Sequence, residues 1–132
     1  MIVHDGKGAR HALASRGWMI GGVEFDTMLA AYLAHPDQRS HKLEDVLSRV
    51  LGVVIEEEEG DSAALFDLGD IGTGPSAAQV RAGKLAAHLH PLAQTLRSRL
   101  EESSEASLLA DMEMPLSVLL GQMEDIGIAA DT

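Results

Sequence analysis

The chain has 132 residues, 45% of them hydrophobic, enough for one domain with a core of its own and too few for two. Cysteine is absent, which excludes disulfide scaffolds, thiolate zinc sites and cysteine nucleophiles. The net charge of -11 is unevenly spread. Residues 1–50 hold 6 basic and 6 acidic side chains, residues 51–132 hold 4 and 15. Phosphate contacts depend on Lys and Arg, so a domain with this balance is expected to bind DNA weakly or not at all by itself. The amino end, Met1-Ile2-Val3-His4-Asp5-Gly6-Lys7, lacks the basic start and apolar run of a secretion signal, and no stretch reaches the roughly 18 apolar residues of a membrane span. A soluble cytoplasmic protein without membrane partners is expected.

Ile2-Val3-His4 reads as a short strand. A lone strand leaves its backbone groups unpaired, so its sheet partners are expected upstream, outside this chain. A helical pattern through Ala9, Ala12 and Leu13 follows and stops at Gly17. Gly6-Lys7-Gly8 with Arg10 lacks the spacing of a phosphate-binding loop and reads as a flexible turn. Trp18 to Gly22 form a turn, and Phe25-Asp26-Thr27 leads into Met28 to Leu33, with Asp26 or Thr27 placed to cap the new helix. His35-Pro36-Asp37 ends it. Ser40 is expected to cap the next helix, which carries Leu43, Val46, Leu47 and Val50 at helical spacing and closes at Gly52.

Val53-Val54-Ile55 reads as a strand or extended piece running into an acidic loop of unassigned role at 56–61, Glu56 to Glu59 and Asp61. The spacing of Val80, Leu85, Leu89, Leu92, Leu96 and Leu100 predicts one long helix with Pro75 in its first turn. A helical pair follows Ser103-Ser104, with a Met and Leu stripe from Met112 to Met123 that reads as core packing, or as packing on an absent neighbouring domain, and stops at Gly127. His88 and His90 sit two apart, on different sides of a helix, so a metal chelate is not expected. His4 and His11 are read as ordinary core or surface histidines.

Three stretches carry a resemblance. Phe25-Asp26-Thr27-Met28-Leu29, continuing through Ser40-His41-Lys42-Leu43 to Leu51-Gly52, is similar to a segment of the exonuclease domain of bacterial family A DNA polymerases, the DNA polymerase I family. Glu113-Met114-Pro115-Leu116 through Gly127-Ile128 and Asp131 resembles the helix by which that domain passes into the polymerase domain. Val3-His4-Asp5-Gly6-Lys7 resembles a degraded copy of the family's His-Asn-x-Lys-Tyr-Asp segment.

The resemblance implies an α/β, ribonuclease-H-like 3′-to-5′ exonuclease fold, helix-rich and truncated at its N-terminal strands. Residues 1–110 would be a partial, degenerate exonuclease-like domain and 111–132 the helix leading into the polymerase domain. It also implies how the catalytic positions have fared. An exonuclease of this family cages two divalent ions with carboxylates. The first acidic pair would precede residue 1. The metal-binding Asp of the next motif falls on Ala9, and the Tyr and Asp of the last motif fall on Ala78 and Ala82, anchored on Leu89-His90-Pro91. No catalytic residue and no metal or other cofactor are therefore expected for this chain, Asp5 being a weak substitute ligand. The parent protein would be a magnesium-dependent DNA-directed DNA polymerase of repair and replication, and the partner of this chain its polymerase domain, with DNA met through the parent. The rival expectations are a working proofreading nuclease and a free-standing helical interaction module.

Overall fold

A computed structural model describes residues 1–55 and 75–127. The acidic loop at 56–61 and the last residues, Ile128 and Asp131 among them, lie outside the described residues.

Strand β1 (Ile2–Val3) is followed by helix α1 (Gly6–Ala14), and strand β2 (Phe25–Asp26) by helix α2 (Thr27–Ala34). The two strands pair in parallel, Ile2 opposite Phe25 and Val3 opposite Asp26. The strand read as lone thus has its partner inside the chain. Two residues of Phe-Asp just ahead of a helix are too few for an alternating pattern to betray them. Helix α3 (Leu43–Leu51) ends at Gly52, whose φ of 67° takes the left-handed turn that glycine adopts without penalty.

Two expectations for this half are corrected and a third, for Val53-Val54-Ile55, loses its strand alternative. Gly6-Lys7-Gly8 is the first turn of α1, with the side chain of Asp5 accepting from the Gly8 amide at 2.9 Å. A Cβ at Gly8 would fall 2.3 Å from that carboxylate, which is why the cap needs glycine there. Ser40 does not cap α3: the cap position is Lys42, without a side-chain bond, and the Ser40 hydroxyl donates to Asp45 in the first helical turn. Val53-Val54-Ile55 joins no strand among the described residues.

The long helix expected from Pro75 is two helices, α4 (Ala77–Ala87) and α5 (Leu89–Glu102). The true start is Ser76, which forms a reciprocal capping box with Gln79 (3.2 and 2.8 Å), so Pro75 precedes the cap instead of lying in the helix. The break at His88 follows from Pro91, which has no N–H to give a preceding carbonyl and fits only the opening turn of a new helix. A short α6 (Ala106–Leu108) runs through a π-helical turn (Leu109–Glu113) into α7 (Met114–Ile126), with Pro115 in its first turn.

The core is formed where α2, α3 and α5 meet: Ala30, Ala31, Val46, Leu47, Leu92, Ala93, Leu96 and Leu100 are all buried, with Phe25 and Leu109 closing the ends. Ala30 and Ala31 are small enough to let α5 approach α2 closely, and the Leu92, Leu96, Leu100 ridge fills the space between helices. Arg97 lies over the Phe25 ring at 4.7 Å, covering the edge of this core with a cation.

Candidate functional site

The junction of β1, β2, α1 and α2 is built around one carboxylate. Asp26 is 2% exposed and accepts backbone hydrogen bonds from Asp5 (3.1 Å) and Gly6 (2.7 Å) at the start of α1 and from Met28 (2.9 Å) at the start of α2. Both helix dipoles point their positive ends at it, and its lone pairs satisfy amides that would otherwise be orphaned. The expected capping role is present, and it serves two helices instead of one. Asp5, held at φ 60°, spends its own side chain on Gly8. Next to this, the part-buried His4 donates from Nε2 to the His41 carbonyl (2.8 Å), and its Nδ1 lies 2.9 Å from Thr27 Oγ1. The Thr27 hydroxyl also lies 3.0 Å from the Val3 carbonyl, so its single proton serves one acceptor at a time. Burial pushes the imidazolium of His4 down from its ordinary pKa, against smaller opposing effects of the His41 carbonyl and the acids around it.

Ala9 is part-buried on α1, whereas Ala78 and Ala82 are exposed, one turn apart on a single face of α4. Their methyl groups offer no ligand. Among the described residues no three His, Asp or Glu side chains converge in a way that could hold a metal ion, and the nearest carboxylates, Asp5 and Asp26, are committed to backbone amides. The residues at the motif positions do not fit a two-metal centre. His88 caps α4 by donating from Nδ1 to the Lys84 carbonyl (2.7 Å), and His90 is exposed on the first turn of α5, in keeping with two separate surface histidines.

Helix α7 decides against the first of the two roles expected for its stripe and leaves the second open. Leu116, Leu119, Leu120, Met123 and Ile126 all face solvent, Met123 at 57% and Ile126 at 85%, and only Gly121 is buried. Apart from Met114, which packs partly against the core, core packing within this chain is therefore not what the Met and Leu stripe does. Its periodicity is that of a buried face, but sequence cannot say which protein surface buries it. The side turned to α1 is polar: Lys7 reaches Glu124 (2.6 Å), Arg10 pairs with Asp125, and His11 bridges Glu124 (2.8 Å) and Asp125 (2.9 Å). Gly121 admits the Arg10 guanidinium and the Lys7 stem, which a Cβ would meet at 3.2 and 3.4 Å. Beside this contact runs a groove of 560 Å³ lined by Lys7, Arg10, Val23, Met114, Val118 and Gln122 among others. None of Ala9, Ala78 and Ala82 lines it. The ionic cluster escaped sequence reasoning. Basic residues at 7, 10 and 11 share a helical face, yet nothing in the sequence says that acids more than a hundred positions away meet them.

Residues 1–60 match the family described as DNA polymerase I, ribonuclease H-like domain. The chain is 38% identical over 129 residues to the DNA polymerase I of Mycobacterium tuberculosis, and 33% identical over 136 residues to that of Bacillus subtilis, covering 98% of this chain in each case. It spans 14% of the length of each. Its fold matches the POL domain of Pol1 from M. smegmatis, solved in complex with DNA primer-template and dNTP, with a TM-score of 0.78 and 35% identity over 97% of this chain and 19% of that one. Among the described residues no helix is long and apolar enough to cross a membrane. The three resemblances seen in the sequence, the helix-rich α/β structure and these relatives agree: the chain belongs to the DNA polymerase I family, as its ribonuclease-H-like, 3′-to-5′ exonuclease-like region up to the start of the polymerase domain.

Proposed function

We propose that this region is catalytically inactive and serves as a scaffold for the polymerase domain of a parent DNA polymerase I, residues 1–110 forming the degenerate exonuclease-like part and 111–132 the helix into the polymerase domain. The observation that carries the reading is alanine at Ala9 and Ala82, where the family's nuclease motifs place metal-binding aspartates. Without those acids nothing cages two cations beside a phosphodiester, and the committed carboxylates of Asp5 and Asp26 supply no replacement. The outward apolar face of α7 supports the scaffold half of the reading, because an exposed stripe of this kind marks a protein contact. Magnesium then belongs to nucleotide addition by the parent, in DNA replication and repair in the cytoplasm, and DNA is met through the polymerase domain.

The test is a 3′-trimming assay on single-stranded DNA with the full-length parent, in magnesium and in manganese, with nucleotides withheld. Intact DNA is the expected result. Metal-dependent trimming that disappears in Asp5→Ala would replace the scaffold with a working proofreading nuclease.

A further inference from the structure

The contact between α1 and α7 is unusual in being made by charge on the side where a helix normally buries apolar groups, and its central member is a histidine. Both ring nitrogens of His11 face carboxylates, Nε2 toward Glu124 at 2.8 Å and Nδ1 toward Asp125 at 2.9 Å. A carboxylate only accepts, so both contacts are attractive only when both nitrogens carry a proton, which is the imidazolium; the Nε2 contact is then a hydrogen bond and the Nδ1 contact an ion pair. Neutral imidazole has one N–H. One of the two acids would then face a lone pair at hydrogen-bond distance, and that contact must open.

The other groups facing His11 are fixed in charge. On its own helix Lys7 takes the remaining oxygen of Glu124 and Arg10 that of Asp125; from α7 come the two carboxylates. Little apolar burial backs this contact up: Gly121 is the only buried residue of α7, Met114 at its start packs partly against the core, and Leu116, Leu119, Leu120, Met123 and Ile126 point outward. We propose that His11 is a proton-operated clasp: protonated, it ties α7 to α1 through both carboxylates, and on losing its proton it drops one of them and loosens α7 from the exonuclease-like body. The significance of this for the parent rests on reading α7 as the helix into the polymerase domain; the clasp itself rests on the two distances.

The direction with pH follows from the proton count. The clasp is complete while both ring nitrogens carry a proton, and raising the pH can only weaken it. At the acid end it outlasts an ordinary carboxylate pair, because the hydrogen bond from Lys7, and then that from His11, hold the Glu124 carboxyl below its usual range.

Backbone hydrogen exchange of the full-length polymerase, read by mass spectrometry on peptides from α7 and from the α2 and α5 core, tests the proposal between about pH 5.5 and about pH 8.5 after correction for intrinsic exchange. Protection of α7 is expected to fall several-fold with rising pH in the wild type while protection of the core peptides does not fall. His11→Arg keeps a permanent two-sided donor and should remain protected throughout; His11→Gln should be weakly protected at every pH. A wild-type α7 whose protection does not change with pH overturns the clasp, and so does a pH response that survives in His11→Gln. Core peptides serve as the control for folding. The result is independent of the nuclease assay: an active nuclease with a working clasp, or an inactive one without it, separates the two readings.

Discussion

The two ends of this chain hold their helices by opposite means. In the α2, α3 and α5 region, close-packed leucines, alanines and valines exclude water, and the polar groups left inside are bonded to backbone. At α7, beyond Met114, leucines and methionines face outward and the inward side is held by five exposed or half-buried charged groups. Surface ion pairs are worth roughly 0–1 kcal/mol each, whereas fully burying one leucine is worth about 1.5–3 kcal/mol. The first region can therefore stand by its own packing, while α7 is incompletely satisfied until some other surface covers it.

The largest predicted effect falls in the packed region. Leu96 is buried between α5 and its neighbours, and Leu96→Ala removes its contacts and leaves a cavity, for a loss of about 2–5 kcal/mol in chemical unfolding. Next comes Asp26. Asp26→Ala uncaps two helices at once and strands three amides in a buried junction, and about 2–3 kcal/mol is expected where a single cap is worth about 1 kcal/mol. Asp26→Asn keeps one accepting oxygen and should recover part of the loss. If Asp26→Ala cost no more than one ordinary cap, the shared-carboxylate account of the junction would be wrong.

Much of this contrast was legible in advance, and what was missed has definite causes. The α2 cap, the Gly52 stop and the apolar faces of α3 and α5 follow from local chemistry that leaves marks at fixed spacing. Alanine at 9, 78 and 82 was visible only by comparison with a family pattern. The β1–β2 pairing, the second duty of Asp26 and the His11 cluster join positions 20 to more than 100 residues apart, and no local pattern encodes such meetings. The orientation of α7 was left between two alternatives for another reason: periodicity reports that a helix has an apolar face and is silent on what meets it.

Acid is predicted to act on the packed region in the sense opposite to the clasp. His35 sits at the end of α2 with Nε2 taking a hydrogen bond from Arg99 of α5 at 2.7 Å, and desolvation, with the nearby Arg99 and Arg49 cations, lowers its pKa. His4 is lowered by burial. A histidine lowered in the folded state binds its proton more readily when unfolded, so this stability is present above the unfolded value near 6.5 and is lost as pH falls through the folded value. Unfolding midpoints should thus drop from neutral pH toward pH 5, less steeply in His35→Gln, which keeps an acceptor for Arg99. A wild-type midpoint unchanged across that interval would mean that neither histidine is held neutral by the fold.

The smallest effect is predicted where the exposed residues are largest. Met123→Gln and Leu119→Gln replace apolar side chains that touch mainly water, and each should move the unfolding of residues 1–132 by no more than about 0.5 kcal/mol. In the full-length polymerase the same two substitutions should cost markedly more, because the stripe would there lie against protein and a polar amide would be buried without a partner. Measuring both variants in both lengths isolates the contribution of the covering surface from that of the helix itself. Equal, small effects in the two lengths would show that α7 stays bare in the parent, leaving the ionic clasp as its attachment and removing the apolar face from the scaffold argument.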